Sequence, residues 1–422
     1  MPQTDRRRAA WGADPTTAAL AVTAVAVAWL ALKMVSIWAW VILPGEYGDT
    51  YYYFLTAEAA FRDGTGIRTA FTEYPTPAGL LLLAPYALGY DDHTSYRNIV
   101  IVATSLADAA FAILLGRRLG PVPVLGWMVL TTVLGQVALL RFDMLPAVSA
   151  GAAVLLAAQG AGRAASVLVG VGTGLKLWPI VLTPLAVLAD RGRRWLAPAW
   201  FAATGVALVA WSLIVGGWER LWSPLDYQRD RGLQIEAVPA TVPMLEWARE
   251  PGYRVWYSTF HAFEVEGPTV GRWLGFAQGA TWVAVAGCVL LLAVWWRGGA
   301  RREALGWLAL TFIGAFVVSS RALSPQYLLW LAAPVAAILG LEWRVEPAGR
   351  GARVAGTVSY LVVVVLCLLT TAIYPVYYGG LTGVGDETPR ALALLTLRNL
   401  GLLGLLGATA VLAWRESRGV VQ

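Results

Sequence analysis

The chain has 422 residues, of which 58% are hydrophobic and only 14% charged, with a formal net charge of +6. A soluble domain is roughly 25% charged, so the composition excludes a soluble globular fold of this length, and a mean hydropathy of +0.61 agrees. The positive charge is no nucleic-acid signal: the only lysines are Lys33 and Lys176, both in apolar sequence, and the arginines sit mostly in short turns.

Repeated apolar stretches approach the ~20 residues that cross a bilayer as a helix, and the ~10-residue alternating pattern of a membrane barrel is absent. The expected class is all-α and polytopic, with about 10–13 membrane helices. After Arg6–Arg8, an apolar run from Thr16 to Leu43 is too long for a signal-peptide core and reads as a retained first helix. Ala78–Leu88 is short and flanked or interrupted by Pro75, Pro77 and Pro85, as in an interfacial or re-entrant helix. Spans are expected near Ile99–Leu115, Val122–Leu139 and Leu145–Ala158. Val167–Leu188 is broken at Lys176-Leu177-Trp178-Pro179 and reads as a hairpin of two short helices. Leu196–Val215 follows, then a long polar segment, then spans near Phe276–Trp296, Leu305–Val318, Tyr327–Leu341, Val354–Tyr374 and Ala391–Trp414.

Arginine turns at Arg6–Arg8, Arg117–Arg118, Arg163, Arg191–Arg194, Arg297–Arg302, Arg344–Arg353 and Arg415–Arg418 set the orientation. Placed in the cytoplasm by the positive-inside rule, they put both termini there too, in the plasma membrane of a bacterial-type envelope. The chain is then one domain over residues 1–422, with a first outer loop at 44–97 and a long outer loop at 216–272. The polar residues set in apolar sequence converge on the outer face, where ionisable groups are costly and mark function.

Asp49, just past the first helix and beside Tyr51–Tyr53, is placed to deprotonate a hydroxyl, or to cap the helix that follows. Glu73-Tyr74-Pro75-Thr76-Pro77 adds a second carboxylate. Arg141-Phe142-Asp143 interrupts an apolar stretch as a structural Arg–Asp pair or as site residues. Lys176, flanked by Gly172, Gly174 and Pro179, either snorkels to the interface or neutralises a lipid phosphate. Arg229 and Arg231 stand in the polar run Tyr227–Glu236, and Arg321 defies the positive-inside trend, which suits it to an anion. Tyr52, Tyr74, Gln326 and Tyr327 are candidates for substrate contact, and Lys33 and Asp108 read as helix-pairing groups.

Cys288 and Cys367 lie in apolar segments, which rules out a disulfide framework and a cysteine metal site, while His93 and His261 are far apart in sequence. The sequence has no Asp-x-Asp motif; it requires no cofactor and leaves a divalent metal open. The rival class is a lipid or small-molecule transporter or flippase, for which a broken helix at Lys176 would suit a midplane site. Absence of internal repeats and the one-sided clustering of polar residues weigh against it.

The Gly48-Asp49 loop, Glu73-Tyr74-Pro75-Thr76-Pro77, the Gly170–Pro179 segment and Ser324-Pro325-Gln326-Tyr327, in this order and helical setting, resemble the glycosyltransferase-C superfamily. The likeness is nearest to family 87, the polyprenol-phosphate-mannose-dependent mannosyltransferases and related arabinofuranosyltransferases, and it covers most of the chain. It implies a polyprenyl-phosphate sugar donor, a cell-envelope lipid or glycan acceptor, and inversion in a single displacement. It further implies that Asp49 is the base, with Asp143 and Glu73 as further catalytic candidates, and that the leaving phosphate is held by some of Lys176, Arg141, Arg229, Arg231 and Arg321. Some such mannosyltransferases carry paired histidines before a late helix, where this chain reads Leu323-Ser324-Pro325-Gln326-Tyr327.

Overall fold

A computed structural model describes residues 15–42, 48–190, 195–344, 350–384 and 386–418. The arginines at 6–8 and 191–194, the first helix's exit at Pro44 and part of the Arg344–Arg353 turn lie outside these residues.

The helices run in chain order: α1 (Pro15–Ile37), α2 (Thr50–Arg62), α3 (Thr76–Ala87), α4 (His93–Leu119), α5 (Pro121–Leu134), α6 (Gln136–Leu140), α7 (Met144–Ala158), α8 (Gly162–Leu175) and α9 (Thr183–Leu188). They continue as α10 (Leu196–Arg229), α11 (Thr241–Trp247), α12 (Val270–Arg297), α13 (Leu305–Ser319), α14 (Tyr327–Arg344), α15 (Arg350–Thr371), α16 (Tyr378–Thr382) and α17 (Thr388–Arg418). Among the described residues, 7 helices are long and apolar enough to cross a membrane, and α3, α5, α7 and most of α14 are shorter apolar helices. The chain is an all-α, multi-pass membrane protein.

Three expectations shift in detail. The span expected over Val122–Leu139 breaks at Gly135, whose positive φ ends α5 and starts α6 in a new direction. The helix expected to stop at Val215 continues to Arg229 past a kink at Gly217 (φ 80°), so the polar segment begins as helix rather than loop. That segment also builds a small antiparallel sheet, β1 (Leu233–Gln234), β2 (Arg254–Tyr257) and β3 (Phe263–Glu266), with β3 in the middle. Val265 pairs with Leu233 on one side and Val255 on the other.

Burial is distributed as a bilayer demands. Helix α14 is buried on every side from Leu328 to Ile338, and α7 and α13 flank it. Gly151 of α7 lets the backbone approach Ala333 and Phe111, since a Cβ there would collide with both. Helices α1, α10 and α12 instead expose large apolar side chains such as Leu20, Ile214 and Val283, the surface that lipid covers. Within the membrane, Lys33 of α1 meets Asp108 of α4 at 2.9 Å, and Trp29 and Thr131 complete the cluster. The expected helix-pairing role of these two residues is their observed geometry.

Among the described residues, the arginine turns at Arg117–Arg118, Arg163, Arg297–Arg302 and Arg415–Arg418 gather at one end. Arg118 donates to Gln159 at 3.1 Å, Arg163 pairs with Asp190, the Arg302 guanidinium rests on Gly160, and Gly298 abuts the Ser417 carbonyl. The Asp49 region and the sheet lie at the opposite ends of these helices, bound to the bundle by buried arginines. Arg220 of α10 donates to the carbonyls of Ile67, Phe71 and Tyr74 at 2.9–3.0 Å. Arg398 of α17 is fully buried, pairs with Glu236 at 2.7 Å and also donates to the Glu236 carbonyl.

Candidate active site

Three breaks in helical structure bring the site together. Asp49 precedes α2 in a helical conformation (φ −78°), yet its side chain makes no capping bond. It forms an ion pair with Arg141 instead, and Tyr53 Oη donates to it at 3.5 Å. The helix N-terminus behind Asp49 still favours its negative charge.

Arg141 is extended (φ −113°, ψ 134°) and Asp143 is helical (φ −59°), so the two side chains diverge around Phe142. The Arg–Asp pair read from their proximity in sequence therefore does not form; each finds a partner from another element. Phe142 is buried with its ring edge-on to Tyr74 at 5.6 Å, which anchors the turn.

Lys176 follows α8 in an extended conformation (φ −157°), because Pro179 lacks the N–H that would continue the helix. Its Nζ sits 2.8 Å from both oxygens of Asp143. Trp330 of α14 donates its indole N–H to Asp143 Oδ1, also at 2.8 Å. Asp143 thus accepts three contacts and is 0% exposed, while the Lys176 side chain keeps 20% of its surface open. A floor of stacked rings, Trp178 on Trp330 (4.7 Å) and Trp330 on Tyr327 (3.7 Å), lies below. Lys176 stands over the faces of Tyr74 and Trp330 at 5.2 and 5.6 Å, and Arg141 over Tyr374 at 5.2 Å.

The result is a pair of crossed ion pairs, Asp49–Arg141 and Lys176–Asp143, tied together by the Tyr53–Tyr74 hydroxyl contact of 3.1 Å. Only the first pair presents a carboxylate to the open: Asp49 is 27% exposed. A partly open carboxylate can accept a proton from an incoming hydroxyl, and cations held beside it can carry an anionic group.

Glu73 lies next to this centre. Tyr52 donates to it at 2.7 Å, and the His261 ring stands 4.4 Å from that of Tyr52. Burial raises the Glu73 pKa above the usual carboxylate range, against the opposing hydrogen bond from Tyr52 and the charges of His261 and Lys176.

The remaining candidates divide. Tyr327 lies within electrostatic reach of both Lys176 and Arg231, and Arg231 also rests over the Tyr227 ring at 5.9 Å. Gln326 is buried, with its Oε1 making no hydrogen bond to any described residue. Arg321 uses its guanidinium on the carbonyls of Arg229 and Arg231, at 3.4 and 3.2 Å, so it braces the segment above the site. Arg229 is exposed at the end of α10, and its contact to Arg321 is through the backbone. Among the described residues, no three His, Cys, Asp or Glu side chains gather as a metal ion would need.

Sequence reasoning missed Trp330, Tyr374, Arg220 and His261. An arginine just past the long apolar run that ends at Val215 was a readable signal for Arg220; the indole and phenol partners had none, since aromatic residues are common throughout the chain.

A family model, "Glycosyltransferase family 87", matches residues 71–325, more than half of the chain. The match takes in Glu73, Arg141, Asp143 and Lys176 and leaves out Asp49, Gln326 and Tyr327. Among solved structures, the chain is similar to a crystal structure of ArnT from Cupriavidus metallidurans bound to undecaprenyl phosphate. The identity is 15%, the TM-score 0.47, and the alignment covers 94% of this chain and 77% of that one. No curated protein matches.

Proposed function

The chain belongs to glycosyltransferase family 87, and from that premise we propose that it transfers mannose or arabinofuranose from a polyprenyl-phosphate donor to a hydroxyl of a cell-envelope lipid or glycan. The reaction takes place at the outer leaflet of the plasma membrane, with the arginine-rich end of the bundle in the cytoplasm. The observation that carries this reading is the crossed arrangement of Asp49, Arg141, Lys176 and Asp143, one carboxylate open and the other buried.

A lipid phosphate entering from the bilayer meets Lys176, Arg231 and Tyr327 over the aromatic floor. It also competes with Asp49 for Arg141, so donor binding frees the Asp49 carboxylate. The acceptor oxygen attacks the anomeric carbon from the face opposite the phosphate, and the acceptor proton passes to Asp49. The bond from the anomeric carbon to the phosphate oxygen breaks with its electron pair on that oxygen. Polyprenyl phosphate leaves with one more negative charge, which Arg141 and Lys176 stabilise. Asp143 does not touch the reactants; it holds Lys176 in place. Glu73, through Tyr52, orients the wall on which the sugar rests. A flippase would have no use for an open carboxylate held against a displaceable guanidinium.

The test is single-turnover transfer from labelled polyprenyl-phosphate mannose and arabinofuranose into a membrane-lipid acceptor extract by protein in nanodiscs. Asp49→Asn should lower the chemical step by roughly 10²–10⁴-fold and leave donor affinity intact or improved, since Arg141 loses a competitor. Transfer at the wild-type rate by the Asn variant would refute the assignment.

A further inference from the structure

Past the kink at Gly217, the end of α10, the tip of the β2–β3 hairpin and Thr72 line a cleft of about 560 Å³. This is within the range of about 300–1,000 Å³ typical of ligand sites. Two kinds of side chain line it. Trp218, Trp222, Tyr227 and Phe260 present rings; Glu219, Asp226 and Asp230 present carboxylates. Trp218 and Trp222 are one helical turn apart with centroids 5.7 Å from each other, and both are exposed. Among the described residues, none of the three carboxylates has an ion-pair partner.

The cleft continues into the site already described. Tyr227 donates to the Phe260 carbonyl at 2.7 Å and lies within electrostatic reach of Glu73. His261, the next residue, lies tilted against the Tyr52 ring at 4.4 Å and edge-on to Tyr257 at 6.3 Å. Tyr257 in turn lies within electrostatic reach of both Asp49 and Arg141. Exposed or half-buried rings therefore lead from the cleft to Tyr257, which lies within electrostatic reach of the Asp49 carboxylate.

We propose that this cleft and its ring-lined track form an acceptor subsite that seats a neutral oligosaccharide, with the end to be extended lying at Asp49. The chemistry follows from the lining. A sugar ring offers an apolar C–H face that covers an aromatic ring, and hydroxyls at its edge that donate to carboxylates. A row of rings alternating with uncommitted carboxylates meets both needs over several sugar units. The same three carboxylates repel anionic glycans and anionic lipid headgroups, which separates this cleft from an ordinary interfacial tryptophan belt. The proposal rests on the transferase reading above and narrows its acceptor from a lipid or glycan to a glycan-bearing one.

The experiment measures binding of mannotetraose, an arabinofuranose tetrasaccharide and tetragalacturonate to the protein in nanodiscs by saturation-transfer NMR, with undecaprenyl phosphate binding followed separately. At least one neutral tetrasaccharide should bind and the uronate should not. Trp222→Ala, and Asp226→Asn combined with Asp230→Asn, should each weaken that binding about tenfold, through loss of one ring contact or of the charge assistance to two hydrogen bonds, and Trp222→Phe should restore most of it. Undecaprenyl phosphate affinity should be unchanged throughout. Equal tetrasaccharide affinity in wild type and variants overturns the proposal, as does a failure of every neutral sugar to bind protein that still takes up undecaprenyl phosphate. If the variants instead lose affinity only for anionic vesicles, the tryptophans are membrane anchors and the proposal falls. Wild type that binds the sugars but not undecaprenyl phosphate refutes the donor reading and upholds the subsite.

Discussion

Replacing Lys176 by methionine strands the Asp143 carboxylate, which is 0% exposed and otherwise bonded only to the Trp330 indole. Removing one member of a buried ion pair costs about 3–5 kcal/mol. Lys176 is itself 20% exposed, which puts the loss near the lower bound, about 3 kcal/mol. Combining it with Asp143→Asn removes the stranded charge and keeps an acceptor for Trp330, so the double variant should recover stability to within about 1 kcal/mol of wild type. Donor binding should not recover, because the cation is missing in both. Loss of a charge-assisted contact to phosphate is worth about 1.5–3 kcal/mol, or roughly 10–150-fold in affinity. Denaturant unfolding in mixed micelles reads the first quantity, and undecaprenyl phosphate titration reads the second. If single and double variants are equally stable, Lys176 is not what holds Asp143. If the double variant binds donor as wild type does, Lys176 is not a phosphate ligand.

Glu73 has a folded-state pKa raised by burial, so its stabilising contribution is complete below the ordinary value of 4.5 and is lost as pH rises through the raised one. Glu73→Gln keeps the acceptor for Tyr52 and should flatten this decline; identical pH–stability slopes for variant and wild type between pH 5 and pH 8 would refute the shift. Arg220→Lys cannot serve the carbonyls of Ile67, Phe71 and Tyr74 together, and should cost about 2 kcal/mol while slowing transfer through displacement of Tyr74; a fully active, fully stable Lys variant would show the clamp to be dispensable. In intact cells, cysteines placed at the exposed positions Asp63 and Thr259 should react with an impermeant maleimide, and one at Glu303 only after permeabilisation; the reverse pattern would put the site in the cytoplasm.

The fold was legible wherever one physical rule dominated. Hydropathy located the spans, Pro179 located the break that frees Lys176, and the arginine turns at Arg117–Arg118, Arg163, Arg297–Arg302 and Arg415–Arg418 do meet at one end of the bundle. The break at Gly135 was not legible, because a glycine inside an apolar run reads as continuous hydropathy until its φ is known. The pairing of charges was legible only in part. Lys33 and Asp108 sit in regular apolar helices, where an ionisable group reads as structural or helix-pairing, and the structure pairs them with each other. Arg141 and Asp143 sit in a turn, and two residues' separation there says nothing about direction; backbone dihedrals on either side of Phe142 send them to opposite partners. Arg321 shows the converse failure: an arginine on the outer side suggested an anion, but unsatisfied carbonyls at the end of α10 take its guanidinium.

Two aspartates of equal intrinsic chemistry are divided by burial and partner count. Asp143 receives both contacts from Lys176 and a third from Trp330, and no face is left for a substrate. Asp49 is opposed by Arg141 and a long contact from Tyr53, with more than a quarter of its surface open. A base must exchange its proton with something outside the protein, so of these two aspartates Asp49 is the one suited to that role in the proposed reaction. A carboxylate that fixes a cation must do the reverse and resist exchange, which total burial ensures. Crossing the pairs also makes the two roles interdependent. The Arg141 that restrains Asp49 in the empty site is the cation an incoming phosphate attracts, so in the proposed reaction the base is released as the donor arrives, and idle hydroxyls or water meet a carboxylate still held by its guanidinium.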